Sequence, residues 1–484
     1  MMHAQSDLRA NIQRFAEASA SLEPSPEVRA SWQRTVDAVA NEFIDTLPAQ
    51  RTFSPALPST IAAFDQKISE SHTLEQLLVT VKNAMMTSGI LTAGSGHLGF
   101  IPGGGLYVGA VADHLAATLN SFTADAFGAP IAAHIHDQTV RWLADLVGYG
   151  EAAWGDITSG GSHATLTAFC VAREARGIKP RAYETTCVYL GEHTHHCCKK
   201  ALDVLFGGDI VVRQVPSRDH AMDHEWLANA VESDRTNGLN PWLVVATAGS
   251  TNLGRVDSIA AIAQLSEEHR LWLHVDAAYG GMFKLCAEAA SLFDGLQKAN
   301  SVVLDPHKGM FLPYGCGAVL FKDGEQLRRT FSGTGVYLQD RDGGQPRPRS
   351  AMDYSLELSR PFRSLRIWLA LKVHGADVIA SALSEKLLLA RYAYERISAI
   401  ENIVTVEAPS LSVFAFYCKK LSNDDDANAR TKALLHRINS HKEAFLSSTV
   451  IEGRFVIRVA VLSFRTHLAT IDALVEAIAA ESVA

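Results

Sequence analysis

The sequence has no run of about 20 consecutive apolar residues, the length a membrane-spanning helix needs. Its first residues, MMHAQSDLRANIQRF, place charged and polar side chains where a secretory signal needs an apolar stretch. Both absences lead us to expect a soluble, cytoplasmic chain. It also lacks any block of like charges. Asp and Glu number 52 against 44 Lys and Arg, and the net charge of -8 is spread along the chain, so the basic footprint of a nucleic-acid binder is missing. A small molecule is the expected partner. The seven cysteines, Cys170, Cys187, Cys197, Cys198, Cys286, Cys316 and Cys418, lack the C-x-x-C spacing of a zinc site and the density of a disulfide framework. They read as reduced, buried thiols. No internal repeat or low-complexity tract is present. What is there is 484 residues, 47% of them hydrophobic, enough to bury a large core in two or three domains.

The first ninety residues carry helical apolar periodicity over Val28 to Leu47 and Thr73 to Met86, separated by a Pro-containing stretch from Phe53 to Pro58. A short helical segment of this kind (1–90) cannot form a core alone and is expected to pack across a dimer partner. From Ile157 to Asp323 short apolar runs alternate with helical stretches: CVYLG, DIVVRQV, PWLVVATAG, LWLHVDAA, SVVLDPH and CGAVLF. The alternation predicts an α/β domain (91–375) around a mainly parallel sheet, with ligands collecting beyond the carboxyl ends of its strands. Between Arg328 and Tyr354 the Gly-, Pro- and Ser-rich sequence predicts a long, lid-like loop. A helical connection through Arg396 then leads to LSVFAFYC and RFVIRVAVL, flanking a helix around Asn428 to Ile438, which reads as a small α+β domain (376–484).

Four features carry chemistry. Lys308 follows Asp305-Pro306-His307 at the end of an apolar run, where a crevice above a sheet can tune its amine into a Schiff-base nucleophile by desolvation or nearby positive charge. An isolated turn of this sequence more often holds an ordinary surface lysine. Asp276 ends LWLHVD and precedes Ala277 and Ala278; a buried carboxylate there can keep a pyridine nitrogen protonated, and Ala lets a flat ring approach. Equally, a strand-end Asp can cap a helix. Thr158-Ser159-Gly160-Gly161-Ser162 precedes the helical run ATLTAFCVAREA and offers amides to a phosphate, as many loop-to-helix junctions do. His193-Thr194-His195-His196-Cys197-Cys198 can provide a stacking imidazole, a transition-metal site, or neither; adjacent residues rarely all ligate one ion.

With these residues in place, the chain resembles the group II pyridoxal-phosphate decarboxylases, which include aromatic-amino-acid, histidine and glutamate decarboxylases. The resemblance covers nearly the whole length. It rests on HVDAAYGG (274–281) and DPHKGMFLPYGCG (305–317), supported by TSGGSHATL (158–166), ATAGSTNLG (246–254) and LSRPFRSLRIWLAL (358–371). It implies a fold like that of the aspartate aminotransferases, pyridoxal 5'-phosphate as cofactor, no metal, and a homodimer with active sites at the subunit interface. Lys308 would hold the cofactor as an internal aldimine and Asp276 would face the ring nitrogen, with Thr247 supporting it. Ala278 would lie under the ring, His195 over it, and Gly161, Ser162 and His307 near the phosphate. Arg360 resembles the arginine of the substrate-side motif, and Tyr337 of GVYLQD the tyrosine that protonates the substrate carbon after carbon dioxide leaves.

Some positions depart from that pattern. His163 stands where the family usually has Glu, His196 and Cys197 where it has serines, and Gly309 where a Trp commonly follows the lysine. GSGHLGFIPGGG (94–105) is Gly-rich and less aromatic than in the aromatic-amino-acid enzymes. These changes bear on the substrate more than on the cofactor. The expected reaction is decarboxylation of an L-amino acid to its amine. An oxidative aldehyde synthase and a carbon-carbon lyase are the alternatives within the same chemistry, and a metal-binding module on the His193 to Cys198 run is the alternative outside it.

Overall fold

A computed structural model describes residues 2–333, 349–419 and 424–482. It divides into two compact units, Met1–Leu91 and Thr92–Ala484. In the first, helices span Met2–Ala18, Pro26–Thr46 and Leu74–Thr87, and Phe53–Ser54 pairs antiparallel with Gly89–Ile90. Local chemistry sets the helix starts. Ser25 Oγ accepts the Val28 amide at 3.4 Å ahead of Pro26 and Glu27, and Thr73 Oγ1 accepts the Gln76 amide at 3.4 Å. Helices Pro26–Thr46 and Leu74–Thr87 pack together, and Lys82 reaches Glu42 at 2.6 Å.

The second unit is built on a seven-stranded sheet: β1 (Trp154–Thr158), β2 (Thr186–Gly191), β3 (Val211–Val215), β4 (Asn240–Thr247), β5 (Trp272–Asp276), β6 (Ser301–Leu304) and β7 (Gly317–Phe321). The spatial order is β1-β7-β6-β5-β4-β2-β3. The pairs from β3 through β6 are parallel, and β7 runs antiparallel to both β6 and β1. Strands such as Val-Val-Leu and Leu-Val-Val-Ala are apolar on both faces because helices cover both, as a parallel sheet requires. The six apolar runs read from the sequence are strands, as expected. The edge strand β1, WGDIT, escaped that reading because Gly155 and Asp156 interrupt its apolar character.

Helices α1 (Tyr107–Leu119) and α2 (Pro130–Val147) precede the sheet; α3 (Gly161–Ala175), α4 (His196–Phe206), α5 (His224–Thr236) and α6 (Ile259–Glu268) connect its strands. The expected helical connection after Gly375 is α8 (Ala376–Ser398), which follows α7 (Ser364–His374) at a bend of 91°. Gly375 sits at the corner with φ of +81°, a conformation L side chains rarely adopt. Helix α8 serves two cores: Ile379 and Leu383 join the sheet core, while Leu389, Ala393 and Ile397 join that of a second sheet. That sheet is antiparallel, with β8 (Ile403–Thr405), β9 (Val413–Cys418), β10 (Ser447–Ile451) and β11 (Arg454–Ala460) in the order β8-β9-β11-β10, packed by α9 (Asp424–Ser440) and α10 (Leu468–Ser482). Among the described residues no single helix is long and apolar enough to cross a membrane.

Candidate active site

The parallel strands deliver their carboxyl ends to one side of the sheet, and register decides which residues meet there. Asp276, the last residue of β5, pairs with Thr247 at the end of β4 and with Val303 in β6. Beyond β6 comes the Asp305 to Lys308 turn, beyond β2 the His193 to His195 segment, and beyond β1 the Ser-Gly-Gly loop. These loops enclose a cavity of about 330 Å³. Gly161, Ser162, His195, Thr247, Asp276, Ala278, His307 and Lys308 all line it, so the fold brings together residues far apart in sequence.

Lys308 Nζ lies 3.1 Å from Asp305 Oδ2, and its side chain is 25% exposed, opening on the cavity. Burial alone would lower its pKa, but Asp305 and Asp276 more than offset that and hold it above the ordinary lysine value. The sequence-based expectation of a depressed pKa is therefore corrected: the polypeptide surrounds this amine with carboxylates, not cations. Asp305, to which the sequence reading gave no role, is almost fully buried. Its Oδ1 takes no hydrogen-bond partner among the described residues. His307 Nδ1 donates to the Cys316 carbonyl at 2.7 Å, which fixes the proton on that nitrogen, and burial pushes its pKa down so that the ring stays neutral.

Asp276 is 7% exposed, and its Oδ1 accepts the Ala278 amide at 3.1 Å. Neighbouring Thr247 is fastened from below: its amide donates to Asp257 Oδ2 at 2.7 Å, and burial raises the Asp257 carboxyl to about 6. His195 is the N-cap of α4, its Nδ1 accepting the Cys197 amide at 3.3 Å, which leaves the proton of the neutral ring on Nε2. Hydrogen bonding to Cys198 lowers the Cys197 thiol, whereas Cys198 is raised by the same bond and by burial.

At the amino end of α3, the first-turn amides point out of the helix without intrahelical acceptors. Close approach holds this turn against β7 and the Asp305 to Lys308 turn: a Cβ on Gly317 would lie 2.6 Å from Gly160 Cα, and one on Gly161 2.9 Å from Asp305 Oδ2. One cavity thus combines an anion-binding helix end, a buried carboxylate beside a small residue, an imidazole and an amine. That donor set fits the phosphate, ring nitrogen, ring face and aldehyde of pyridoxal phosphate.

The family described as pyridoxal-dependent decarboxylase conserved domain matches residues 58–419. The chain belongs to this family. It is a pyridoxal-phosphate-dependent decarboxylase. An aromatic-L-amino-acid decarboxylase of Bacillus atrophaeus is 32% identical over 372 residues, covering 76% of this chain and 77% of the relative. A phenylacetaldehyde synthase of Arabidopsis thaliana is 25% identical over 454 residues, covering 90% and 92%. In fold, the decarboxylase matches a crystal structure of Oryza sativa TDC with PLP and tryptamine, with a TM-score of 0.88, 21% identity and coverage of 95% and 98%. Mouse CSAD in apo form gives 0.87, 23%, 95% and 99%.

One residue singled out in the sequence is not described, and another lies elsewhere in the decarboxylase. Tyr337 is outside the described residues. Arg360 does not line the cavity: its guanidinium is 3% exposed, pairs with Asp156 at 2.5 Å and donates to the Ile157 carbonyl at 2.8 Å. This geometry makes it a fastening for edge strand β1, with His136 Nε2 another 3.9 Å from Asp156. Arg360→Ala should cost about 3–5 kcal/mol of stability, because it strands a buried carboxylate, and a urea unfolding midpoint measures the loss. Residues without an assigned role also line the cavity, among them His163, whose Nδ1 is 3.3 Å from Ser159 Oγ, and Tyr279, whose hydroxyl is 2.8 Å from Ser412 Oγ. Gly309 has a local cause: a Cβ there would sit 2.5 Å from Met282 Cβ.

Proposed function

We propose that the decarboxylase converts an L-amino acid to its amine and carbon dioxide, with Lys308, Asp276, His195 and the amino end of α3 as its cofactor-holding residues. The observation carrying this reading is the convergence of Lys308 and Asp276 with the α3 amino end on one cavity. Pyridoxal phosphate, when bound, supplies the electron sink that makes loss of carbon dioxide feasible. The chain's own residues do the rest. First-turn amides of α3, with Gly161 and Ser162, bind the phosphate, and His307 lies near it. Asp276 holds a proton on the ring nitrogen, Thr247 supports that carboxylate from the adjacent strand, and Ala278 and His195 flank the ring's faces. Lys308 provides the attaching amine after losing its proton to solvent, a loss that Asp305 Oδ2, its hydrogen-bond partner, opposes.

Tyr337 is proposed as the acid that protonates the substrate carbon, which directs the product toward amine. Arg360 is not carried forward as a substrate ligand, because its guanidinium is committed to Asp156. Incubation with a panel of L-amino acids, scoring carbon dioxide, amine, aldehyde and peroxide, tests the reaction and names the substrate. Tyr337→Phe should keep the cofactor and shift product from amine toward aldehyde, with amine formation falling roughly 10²-fold or more. Amine release at the parent rate would assign the proton to another donor.

A homodimer is proposed on the exposed apolar faces of the sheet-bearing unit. Tyr107, Val111 and Leu115 recur along one face of α1, and Phe127 just before α2 and Ile131 in its first turn are each 71% exposed. Sedimentation of the purified chain decides it. A cytoplasmic setting is proposed on the cysteines, all seven of which are free, including an adjacent pair.

A further inference from the structure

Helix α4 begins with two adjacent cysteines whose use the proposed reaction does not explain. From sequence alone the His193 to Cys198 run makes a poor metal site, since adjacent residues rarely surround one ion. The fold changes the ligand set. It leaves His193 and His196 aside and brings in Asp276 from β5, so that Cys197 Sγ, Cys198 Sγ and a carboxylate oxygen of Asp276 lie within 4.8 Å of one another. All three residues are buried, and Cys197 and Asp276 line the cavity, which gives an ion a route in.

We propose that Cys197, Cys198 and Asp276 form a site for one thiophilic divalent cation, of the zinc or cadmium type, that excludes the cofactor. Zinc binds thiolate sulfur at about 2.3 Å and carboxylate oxygen at about 2.0–2.2 Å, so tetrahedral ligand atoms stand roughly 3.5–4 Å apart, within the observed spread. Two sulfurs select such an ion over magnesium or calcium. Both cysteines lie in the first turn of the 11-residue helix α4, whose amino end favours the Cys197 thiolate, and a bound ion would itself deprotonate the raised Cys198 thiol. On binding, each thiol gives its proton to solvent and a cavity water completes the coordination.

Exclusion follows from Asp276 and rests on its proposed role beside the ring nitrogen. A divalent ion on the Asp276 carboxylate, one oxygen of which already accepts the Ala278 amide, takes up the negative charge that a protonated ring nitrogen needs and repels that cation, so the two compete for the residue. The site would make cofactor uptake sensitive to thiophilic metals.

Titration of the full-length, cofactor-free chain with cadmium tests this through the ultraviolet cadmium-thiolate absorbance. About one equivalent per chain should bind, and Cys197→Ser and Cys198→Ser should each remove the band. Prior loading with pyridoxal phosphate should weaken cadmium binding at least roughly tenfold, and bound zinc should slow cofactor uptake in return. The competition arm needs no variant, so it stands even if a serine variant folds poorly. A band that survives both substitutions, or cadmium binding unchanged by cofactor, overturns the proposal. Failure of the cofactor reading would show separately, in the absorbance of Lys308→Ala, because the cadmium titration of cofactor-free protein involves no cofactor.

Discussion

Lys308→Ala should abolish the visible absorbance of lysine-bound cofactor and reduce turnover by at least about 10³-fold, since the variant loses the attaching amine and a proton carrier at once. The substitution also has a structural cost. It leaves Asp305, 2% exposed and already with one oxygen lacking a partner, without the ammonium 3.1 Å away. Removing one member of such a pair costs about 3–5 kcal/mol, so lost activity in Lys308→Ala mixes chemistry with stability. Lys308→Arg separates the two. A guanidinium keeps a cation beside Asp305 but forms no imine, so this variant should melt near the parent temperature and still show neither cofactor absorbance nor turnover. Absorption spectra, thermal melting and single-turnover product formation measure the three quantities. A Lys308→Arg variant that attaches cofactor covalently would move the role to another amine.

The arrangement behind that expectation was partly readable from the chain alone, and the reasons differ residue by residue. Strands β2 to β7 were legible because a sheet covered on both faces leaves uninterrupted apolar runs. Strand β1 was not, because its buried Asp156 is neutralised by Arg360, a contact spanning 204 residues that no local pattern announces. For the same reason Arg360 read as a substrate residue: motif position shows that an arginine is needed, not whether it faces the cavity or the sheet edge. Lys308 and Asp276 were legible because each ends an apolar run with polar chemistry. The sign of the field at Lys308 was not, since it depends on Asp305 folding back and on Asp276 arriving from the neighbouring strand. The third ligand of the cysteine pair was hidden in the same way. The α7–α8 corner, by contrast, had a local signal in Gly375, the residue at which the sequence reading ends one segment and begins the helical connection.

Asp276→Asn isolates the electrostatic half of the site. Asparagine is nearly isosteric, and its side-chain carbonyl can still accept the Ala278 amide now held at 3.1 Å, so the end of β5 and its register with Thr247 should persist. What disappears is a buried negative charge. Without it nothing at that position favours a protonated ring nitrogen, and turnover should fall by roughly 10²- to 10³-fold, the scale seen when one preorganised electrostatic partner is removed. Cofactor attachment should survive, which distinguishes this variant from Lys308→Ala. A second consequence has a definite sign. Asp276 helps hold the Lys308 pKa above its ordinary value, so its neutralisation lowers that pKa and frees more amine at a given pH. The pH profile of cofactor attachment should therefore shift toward lower pH while the maximum turnover drops. Stopped-flow absorbance across pH, with kcat from saturating substrate, reads both effects. Parent kcat together with an unshifted attachment profile would remove Asp276 from the ring-nitrogen position.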